Sequence, residues 1–185
     1  YVGSRTLKGL AENGHIINVD IPQSQIDMYQ PGILNTVSHL GKVWGYPRAF
    51  STKALFMNCD LLEEAGVACE GPETWDELYS MAEAVTNNVP GVAGIGLTGK
   101  DFDNTMHQFL NYLYSNGGQV IDPDTNTITL NSSNTVEALA FYGKLANVAQ
   151  EGPLAYERSQ LRDLLNDKKI AMYIDGPWGR GTHNE

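Results

Sequence analysis

The fold of this chain follows from residues 41–78, which read GKVWGYPRAFSTKALFMNCDLLEEAGVACEGPETWDEL. Within them, residues 54–57 form a continuous apolar run, which is typical of a strand buried on both faces. Asp60 follows closely and can cap a short helix over residues 61–65. Gly66 then ends that helix, because glycine readily adopts the left-handed conformation found at helix ends. These residues therefore predict a strand, a short helix and a sharp exit.

A second helix opens soon afterwards. Pro72 stops the preceding segment, and Thr74 with Glu77 has the spacing of a capping box. Further along, residues 92–97 and 170–174 form two more apolar runs, each next to a helical pattern. Strands that alternate with helices predict an α/β fold with a central sheet. Residues 170–174 are apolar throughout, so we expect that strand to be central.

The order of these motifs resembles one family, the extracellular solute-binding proteins of sugar ABC transporters, which are maltose-binding-protein-like. The resemblance rests on residues that share the order and spacing of the family pattern: Gly41, Lys42, Gly45, Pro47, Asn58, Asp60, Leu61, Leu62, Ala65, Gly66, Pro72, Thr74, Trp75, Glu77 and Leu78. The segment from Lys169 to Trp178 is similar to the family's second signature, an apolar strand that ends in Gly-Pro-Trp. One such match alone is weak evidence, whereas the ordered series is specific.

The resemblance implies a periplasmic-binding-protein-like (type II) lobe, in which helices flank a central mixed sheet. It implies that residues 1–47 are the end of the first lobe and the approach to the hinge, and that residues 48–185 are most of the second lobe. Two domains of typical size need more chain than this. We therefore expect an internal fragment of a two-lobe protein.

The function implied by the resemblance is that of a substrate-binding component. Such a protein binds a sugar or oligosaccharide in the cleft between its lobes and delivers it to the permease subunits of an ABC transporter. It is exported, so the resemblance implies a periplasmic protein or an extracellular cell-surface lipoprotein, with a signal removed upstream of this chain.

The charge balance argues against other partners. The 185 residues include 12 Lys and Arg against 22 Asp and Glu, which gives a net charge of −10. Nucleic acids and anionic membrane surfaces both attract clustered cations, so neither is an expected partner. No apolar run approaches the roughly 20 residues of a membrane-spanning helix, so no direct insertion into a membrane is expected.

One segment imitates a metal site. Asp122, Asp124 and Asn126 have the spacing that opens an EF-hand loop. However, Thr127 stands where such a loop needs glycine and Ser133 where it needs glutamate. A hairpin turn explains the same residues. We therefore expect a hairpin, no metal site and no cofactor.

The two cysteines leave two interpretations open. Cys59 and Cys69 could be two small packed thiols, or they could form a disulfide that joins the short helix to the loop after it. An exported protein permits a disulfide. We expect the two residues to lie near each other, because the helix between them is short and the chain returns at Gly66.

Trp178 is the leading candidate for a ligand contact. It follows an apolar strand and a Gly-Pro turn, which places it at the carboxyl end of a strand, where open α/β sheets bind ligands. Aromatic faces suit the C–H-rich faces of sugars. The resemblance implies that this tryptophan stacks on a sugar ring; the alternative is a tryptophan packed against a neighbouring helix. Trp44 and Trp75 are predicted to be structural.

A second candidate set opens the helix after residues 92–97. Asp103, Asn104 and His107 would present short polar side chains and free backbone N–H groups at one end of the sheet. The resemblance implies that this loop contributes to ligand binding, while simple helix capping would also explain Asp103 and Asn104.

A third candidate set follows the hinge turn at Pro47. Arg48, Ser51 and Thr52 would face the cleft where the lobes meet. Arg48 departs from the family pattern and could pair with an acidic residue or bind a ligand carboxylate, and Arg180 could serve similarly.

No catalytic constellation is visible in the sequence, since it contains no nucleophile elbow, phosphate loop or HExxH motif. We therefore expect a binding protein and no enzyme. Two alternatives remain: a protein-interaction module on the same fold, and a carbohydrate-active enzyme. A buried Trp178 would favour the first alternative, and turnover of a bound saccharide would favour the second.

Overall fold

A computed structural model describes residues 2–183, and the chain divides between Ser51 and Thr52 into two compact units. The first unit contains three short helices and one small antiparallel pair of strands: α1 (Ser4–Glu12), α2 (Gln23–Ile26), α3 (Pro31–Asn35), β1 (Ser38–His39) and β2 (Lys42–Val43). Its interior is small, with Leu7 and Val37 among its few buried side chains. The assignment of the two units to the lobes of a larger protein stays a prediction.

The second unit contains the main sheet and six helices. Its elements are β3 (Ala54–Met57), α4 (Cys59–Glu64), α5 (Trp75–Asn88), β4 (Ala93–Gly96), α6 (Asp103–Ser115), β5 (Ile121–Asp122), β6 (Thr127–Ile128), α7 (Ser133–Leu145), α8 (Arg158–Asn166), β7 (Ile170–Asp175) and α9 (Gly179–His183). Two 3₁₀ turns, Ala146–Val148 and Pro153–Ala155, lie between α7 and α8.

The three apolar runs form one sheet in the order β3-β7-β4. Strand β7 is central, as predicted, and its first four residues are fully buried. It pairs antiparallel with β3, where Ala54 lies opposite Asp175, and parallel with β4, where Gly96 lies opposite Tyr173. The predicted α/β class with a mixed sheet is confirmed.

Helices α5 and α7 bury their apolar faces in the main core, which includes Ala82, Val85 and Leu145. At the start of α5, Trp75 stacks on Phe141 of α7 with ring centroids 4.6 Å apart. Trp75 is therefore structural, as predicted. None of the helices in residues 2–183 is long and apolar enough to cross a membrane.

The capping predictions had mixed outcomes. The capping box of Thr74 and Glu77 is present at the start of α5. For α4 the prediction was wrong: Asn58, not Asp60, is the cap, and its side chain accepts from the N–H of Leu61 at 3.2 Å. Asp60 lies in the first turn, and its carboxylate pairs with Lys168 at 2.9 Å.

The segment that imitates a calcium loop is a hairpin. Strands β5 and β6 pair antiparallel, and the Asp122 carboxylate accepts from the N–H groups of Asp124 at 2.9 Å and Thr125 at 3.2 Å. These bonds lower the pKa of Asp122. The acidic residue therefore shapes the turn, as the hairpin prediction requires.

Cys59 and Cys69 form a disulfide, with Cα atoms 5.2 Å apart. This separation lies within the usual range for a disulfide. The expected proximity of the two residues is confirmed. The bond joins the first residue of α4 to the loop before α5, so it closes the segment that carries Gly66, whose φ of 80° is left-handed as predicted.

Loss of this disulfide is expected to lower the free energy of unfolding by about 2–3 kcal/mol, because the cross-link restricts the unfolded chain. Urea unfolding of the wild type, with and without reductant, measures the effect. The double variant Cys59→Ser, Cys69→Ser is the control, since its midpoint should not respond to reductant. Equal midpoints for the wild type in both conditions would contradict the prediction.

Candidate functional site

Three chain segments meet at one edge of the main sheet. The parallel strands β4 and β7 both end there, because parallel strands have their carboxyl ends on the same side. Strand β3 begins there, since Ala54 lies opposite Asp175. Lys53, the loop into α6 and the Asp175–Trp178 turn are therefore placed along a single edge.

Asp175 is the centre of a hydrogen-bond network at this edge. Its carboxylate has no exposed surface, yet it accepts from four donor groups. These are Arg158 Nη1 at 3.2 and 3.3 Å, Tyr173 Oη at 2.7 Å, the N–H of Gly176 at 2.7 Å and Trp178 Nε1 at 2.8 Å. A carboxylate offers about four acceptor positions, so these donors saturate it. The buried charge is compensated by Arg158, whose side chain is 25% exposed.

Trp178 is fixed in position while its ring stays accessible. Trp178 is 46% exposed as a residue, and its indole N–H is held by Asp175. The ring also lies against Gly176, where any added side chain would overlap it. Lys53 Nζ lies 4.8 Å and Arg158 Cζ 5.3 Å from the ring centroid. The side chain is therefore an anchored aromatic surface at the edge of the sheet.

The network shifts the ionisation of its members. Burial, together with the Asp175 carboxylate, raises the pKa of the Tyr173 hydroxyl. Burial lowers the pKa of Lys53, and the nearby Arg158 adds to this effect while Asp175 opposes it. Burial also lowers the pKa of His183, whose Nε2 lies 3.0 Å from Tyr173 Oη.

The start of α6 lies beside the same cations. Asn104 and His107 line a narrow cavity of about 10 Å³ together with Lys53 and Arg158. The helix is held there by buried Gln108, whose Oε1 accepts from the N–H of Thr98 at 2.7 Å. Thr98 lies two residues past the end of β4, so this bond ties α6 to the end of the strand. The structure thus brings Asn104 and His107 close to the groups that flank Trp178.

The remaining candidates are placed differently. Asp103 is exposed in the first turn of α6, and the N-cap position is held by Phe102, so neither Asp103 nor Asn104 is the helix cap. Thr52 is exposed at the start of the second unit. Arg180 is exposed on α9, and its guanidinium has no hydrogen-bond or ion-pair partner among residues 2–183.

Arg48 and Ser51 belong to the first unit. Arg48 lines a groove of about 310 Å³ there, along with Met28, Tyr29 and Phe50. Ser51 is exposed at the end of the unit. Both residues therefore lie outside the unit that carries Trp178.

Three charged residues at this edge were missed from the sequence: Lys53, Arg158 and Asp175. Asp175 carried a signal, because it is a carboxylate directly after an apolar strand and before a Gly-Pro turn. Lys53 carried a weaker one, since it directly precedes β3. Arg158 carried none, because only the folded chain brings α8 against the end of β7.

No three His, Cys, Asp or Glu side chains within residues 2–183 are grouped so that they could hold a metal ion. The chemistry at this edge consists of an aromatic face, amide groups and two cations around one buried carboxylate. Such a set can bind a polar organic molecule through stacking and charge-assisted hydrogen bonds.

Comparison with known proteins gives a consistent result. Residues 3–185 match the family described as bacterial extracellular solute-binding protein. The maltodextrin-binding protein MdxE of Bacillus subtilis (strain 168) is 27% identical over 185 residues, which cover 96% of this chain and 42% of that protein.

Solved structures show the same fold. A solute-binding protein of an ABC transporter from Thermotoga lettingae, bound with α-D-tagatose, superposes with a TM-score of 0.80 at 26% identity, over 94% of this chain and 46% of that one. The GacH receptor of Streptomyces glaucescens, solved unliganded and with acarbose, gives a TM-score of 0.80 at 25% identity, over 96% and 45%.

These matches confirm the type II periplasmic-binding-protein fold. The chain spans less than half the length of each of these relatives. The family match extends over nearly all of the sequence, from residue 3 to residue 185. This chain therefore belongs to the bacterial extracellular solute-binding protein family.

Proposed function

We propose that this chain is part of the substrate-binding component of an ABC transporter and forms one wall of a saccharide-binding cleft. The observation that carries the proposal is Trp178, which is half-exposed at the carboxyl end of the central strand and oriented by Asp175. A ring that serves only as core packing would be covered. A fixed, accessible indole suits the C–H-rich face of a sugar.

Polar groups beside the indole would bind the hydroxyls. Asn104 and His107 offer amide and imidazole groups next to Lys53 and Arg158. Amides and charged groups can bond neighbouring hydroxyls in pairs, which fixes the orientation of a sugar ring. Asp103, Arg48, Ser51, Thr52 and Arg180 stay proposed contacts of lower rank, because none of them lines the cavity that Asn104 and His107 share with Lys53 and Arg158.

The relatives support a saccharide as the ligand class. Their names and titles mention maltodextrin, α-D-tagatose and acarbose. Because these ligands differ from one another, they favour a sugar or oligosaccharide without indicating which one.

A role in transport would determine the remaining partners and the cellular location of the protein. The family is extracellular by its description, so the protein would be exported. The ligand would be handed to the permease subunits, with the protein either in the periplasm or anchored at the cell surface by a lipid. The disulfide fits an oxidising compartment. Residues 1–47 would end the first lobe and residues 48–185 would form most of the second.

Trp178→Ala in the intact protein is expected to weaken saccharide affinity by about tenfold or more, because the stacking surface is lost. The melting temperature should change little, since the ring is half-exposed. Thermal-shift screening with maltose, maltotriose and arabinotriose would identify a binder, and isothermal titration calorimetry would then compare the variants.

Trp75→Ala is the matched control for this experiment. Its ring stacks on Phe141 in the core, so its loss should lower the melting temperature and leave affinity near that of the wild type. Unchanged affinity in Trp178→Ala, together with a large fall in its melting temperature, would show that Trp178 is a packing residue.

A further inference from the structure

The edge around Trp178 carries more positive charge than its own carboxylate can neutralise. Lys53 and Arg158 both lie within about 5 Å of the indole ring, at 4.8 and 5.3 Å. Among residues 2–183, Asp175 is the carboxylate that bonds to this pair, and it bonds to Arg158 alone. Two cations around one carboxylate leave an excess of one positive charge, in a chain whose net charge is −10.

Asp175 cannot neutralise Lys53 as well. Its two oxygens already accept from Arg158, Tyr173, Gly176 and Trp178, which saturates them. Lys53 Nζ makes no hydrogen bond or ion pair to any residue of the described part of the chain. The Lys53 side chain is nevertheless partly buried, with its Nζ beside the ring. A half-buried cation without a bonded partner is costly, so it favours an anion from outside this network.

Arg158 also has donors to spare. Its bonds to Asp175 both come from Nη1, so Nε and Nη2 have no partner among the described residues. A guanidinium offers its donors in a planar fork that matches carboxylate and phosphate groups. The same side chain also lines the narrow cavity with Asn104 and His107.

We propose that the saccharide bound at this edge carries an anionic group, a carboxylate or a phosphate, which lies between Lys53 and Arg158 while its ring contacts Trp178. This inference rests on the proposed function and specifies its substrate class. It distinguishes this chain from a binder of neutral sugars, because a neutral sugar has no anionic group that could pair with the surplus cations. Lys53 acts as a specificity-determining residue, because its charge has no other bonded partner within residues 2–183.

The test compares matched pairs of saccharides on the intact protein by isothermal titration calorimetry. Digalacturonate against galactobiose tests the carboxylate, and maltose 6′-phosphate against maltose tests the phosphate. At least one anionic member should bind about tenfold or more tightly than its neutral twin, because a charge-assisted bond is roughly twice as strong as a neutral one. The preference should shrink at high salt, which screens partly exposed charges.

Variants locate the charge that produces the preference. Lys53→Met keeps most of the apolar stem and removes the ammonium, so the ratio of anionic to neutral affinity should fall by about tenfold. Lys53→Arg should retain most of the ratio. Lys144→Met is the matched control, because Lys144 Nζ also lies over an aromatic ring, 4.0 Å from the Tyr79 centroid, and does not line the cavity that Lys53 shares with Arg158.

The outcomes separate the two proposals. If neutral saccharides bind as tightly as their anionic twins, or if Lys53→Met leaves the ratio unchanged, the anionic inference is overturned while saccharide binding stands. If no saccharide of any pair binds, the proposed function falls and this inference falls with it.

Discussion

Gly94→Ala is expected to lower the free energy of unfolding by about 3 kcal/mol or more, because the added methyl group would overlap backbone atoms. Gly94 lies in β4, and the methyl would meet the backbone of Ala82 in helix α5. Ala82 is fully buried and cannot swing aside as a flexible side chain could. The Gly94 N–H also donates to Thr86 Oγ1 at 2.9 Å, which ties the strand to the same helix. Relief of the overlap must therefore separate α5 from the sheet.

Gly143→Ala is the control for this experiment, since it makes the same chemical change in open space. Gly143 lies exposed in helix α7, and an added methyl would meet no atom within 4 Å. Alanine is the better helix former by about 0.8–1.0 kcal/mol, so this variant should be slightly more stable than the wild type. Urea unfolding of the intact protein compares the two. A Gly94→Ala variant as stable as the wild type would mean that α5 does not approach the sheet this closely.

The glycines of β4 illustrate what local patterns can and cannot predict. From the sequence, residues 92–97 read as a buried strand weakened by two glycines. The strand was predicted correctly, although its observed bounds, Ala93–Gly96, are shorter than the apolar run. The role of Gly94 depends on a helix that begins nineteen positions earlier, at Trp75, and packs across it. No local sequence pattern shows how closely that helix approaches the strand.

The cap of α4 illustrates a second, smaller limit of prediction from the sequence. Asn58 and Asp60 are both residue types that cap helices, and they lie two positions apart. In the structure α4 begins at Cys59, so Asn58 takes the cap position and Asp60 lies in the first turn, where its carboxylate pairs with Lys168. The capping box of Thr74 and Glu77 was predictable, because both of its residues lie within one helical turn of each other in the sequence.

The candidate site was predictable in part for the same reason. Trp178 could be placed at a sheet edge from the strand and turn that precede it. Asn104 and His107 could be predicted because they lie at the start of the helix that follows β4. The cations beside them could not be found this way, since Lys53 precedes β3 and Arg158 opens α8, and only the folded chain brings them to the same cavity.

Asp175→Ala is expected to lower the free energy of unfolding by about 3–4 kcal/mol, because removing one partner of a buried ion pair leaves the other without compensation. The value lies toward the lower end of the usual range, since Arg158 is 25% exposed and water can reach it. Three further donors lose their acceptor: the Tyr173 hydroxyl, the Gly176 N–H and the Trp178 indole N–H.

The same substitution should also weaken saccharide binding, because Trp178 loses the bond that orients it. Asp175→Asn separates the two effects. An amide oxygen can keep the bonds from Gly176 and Trp178, both of which reach Oδ1, while the charge that compensates Arg158 is gone. The asparagine variant should therefore lose stability but keep more of the affinity than the alanine variant. Asp163→Ala is the control, since its pairing with Arg162 is exposed and should not affect either property measurably. Urea unfolding and calorimetric titration of all three variants measure both properties. If Asp175→Ala unfolds at the wild-type midpoint, the buried carboxylate does not hold this edge of the sheet together.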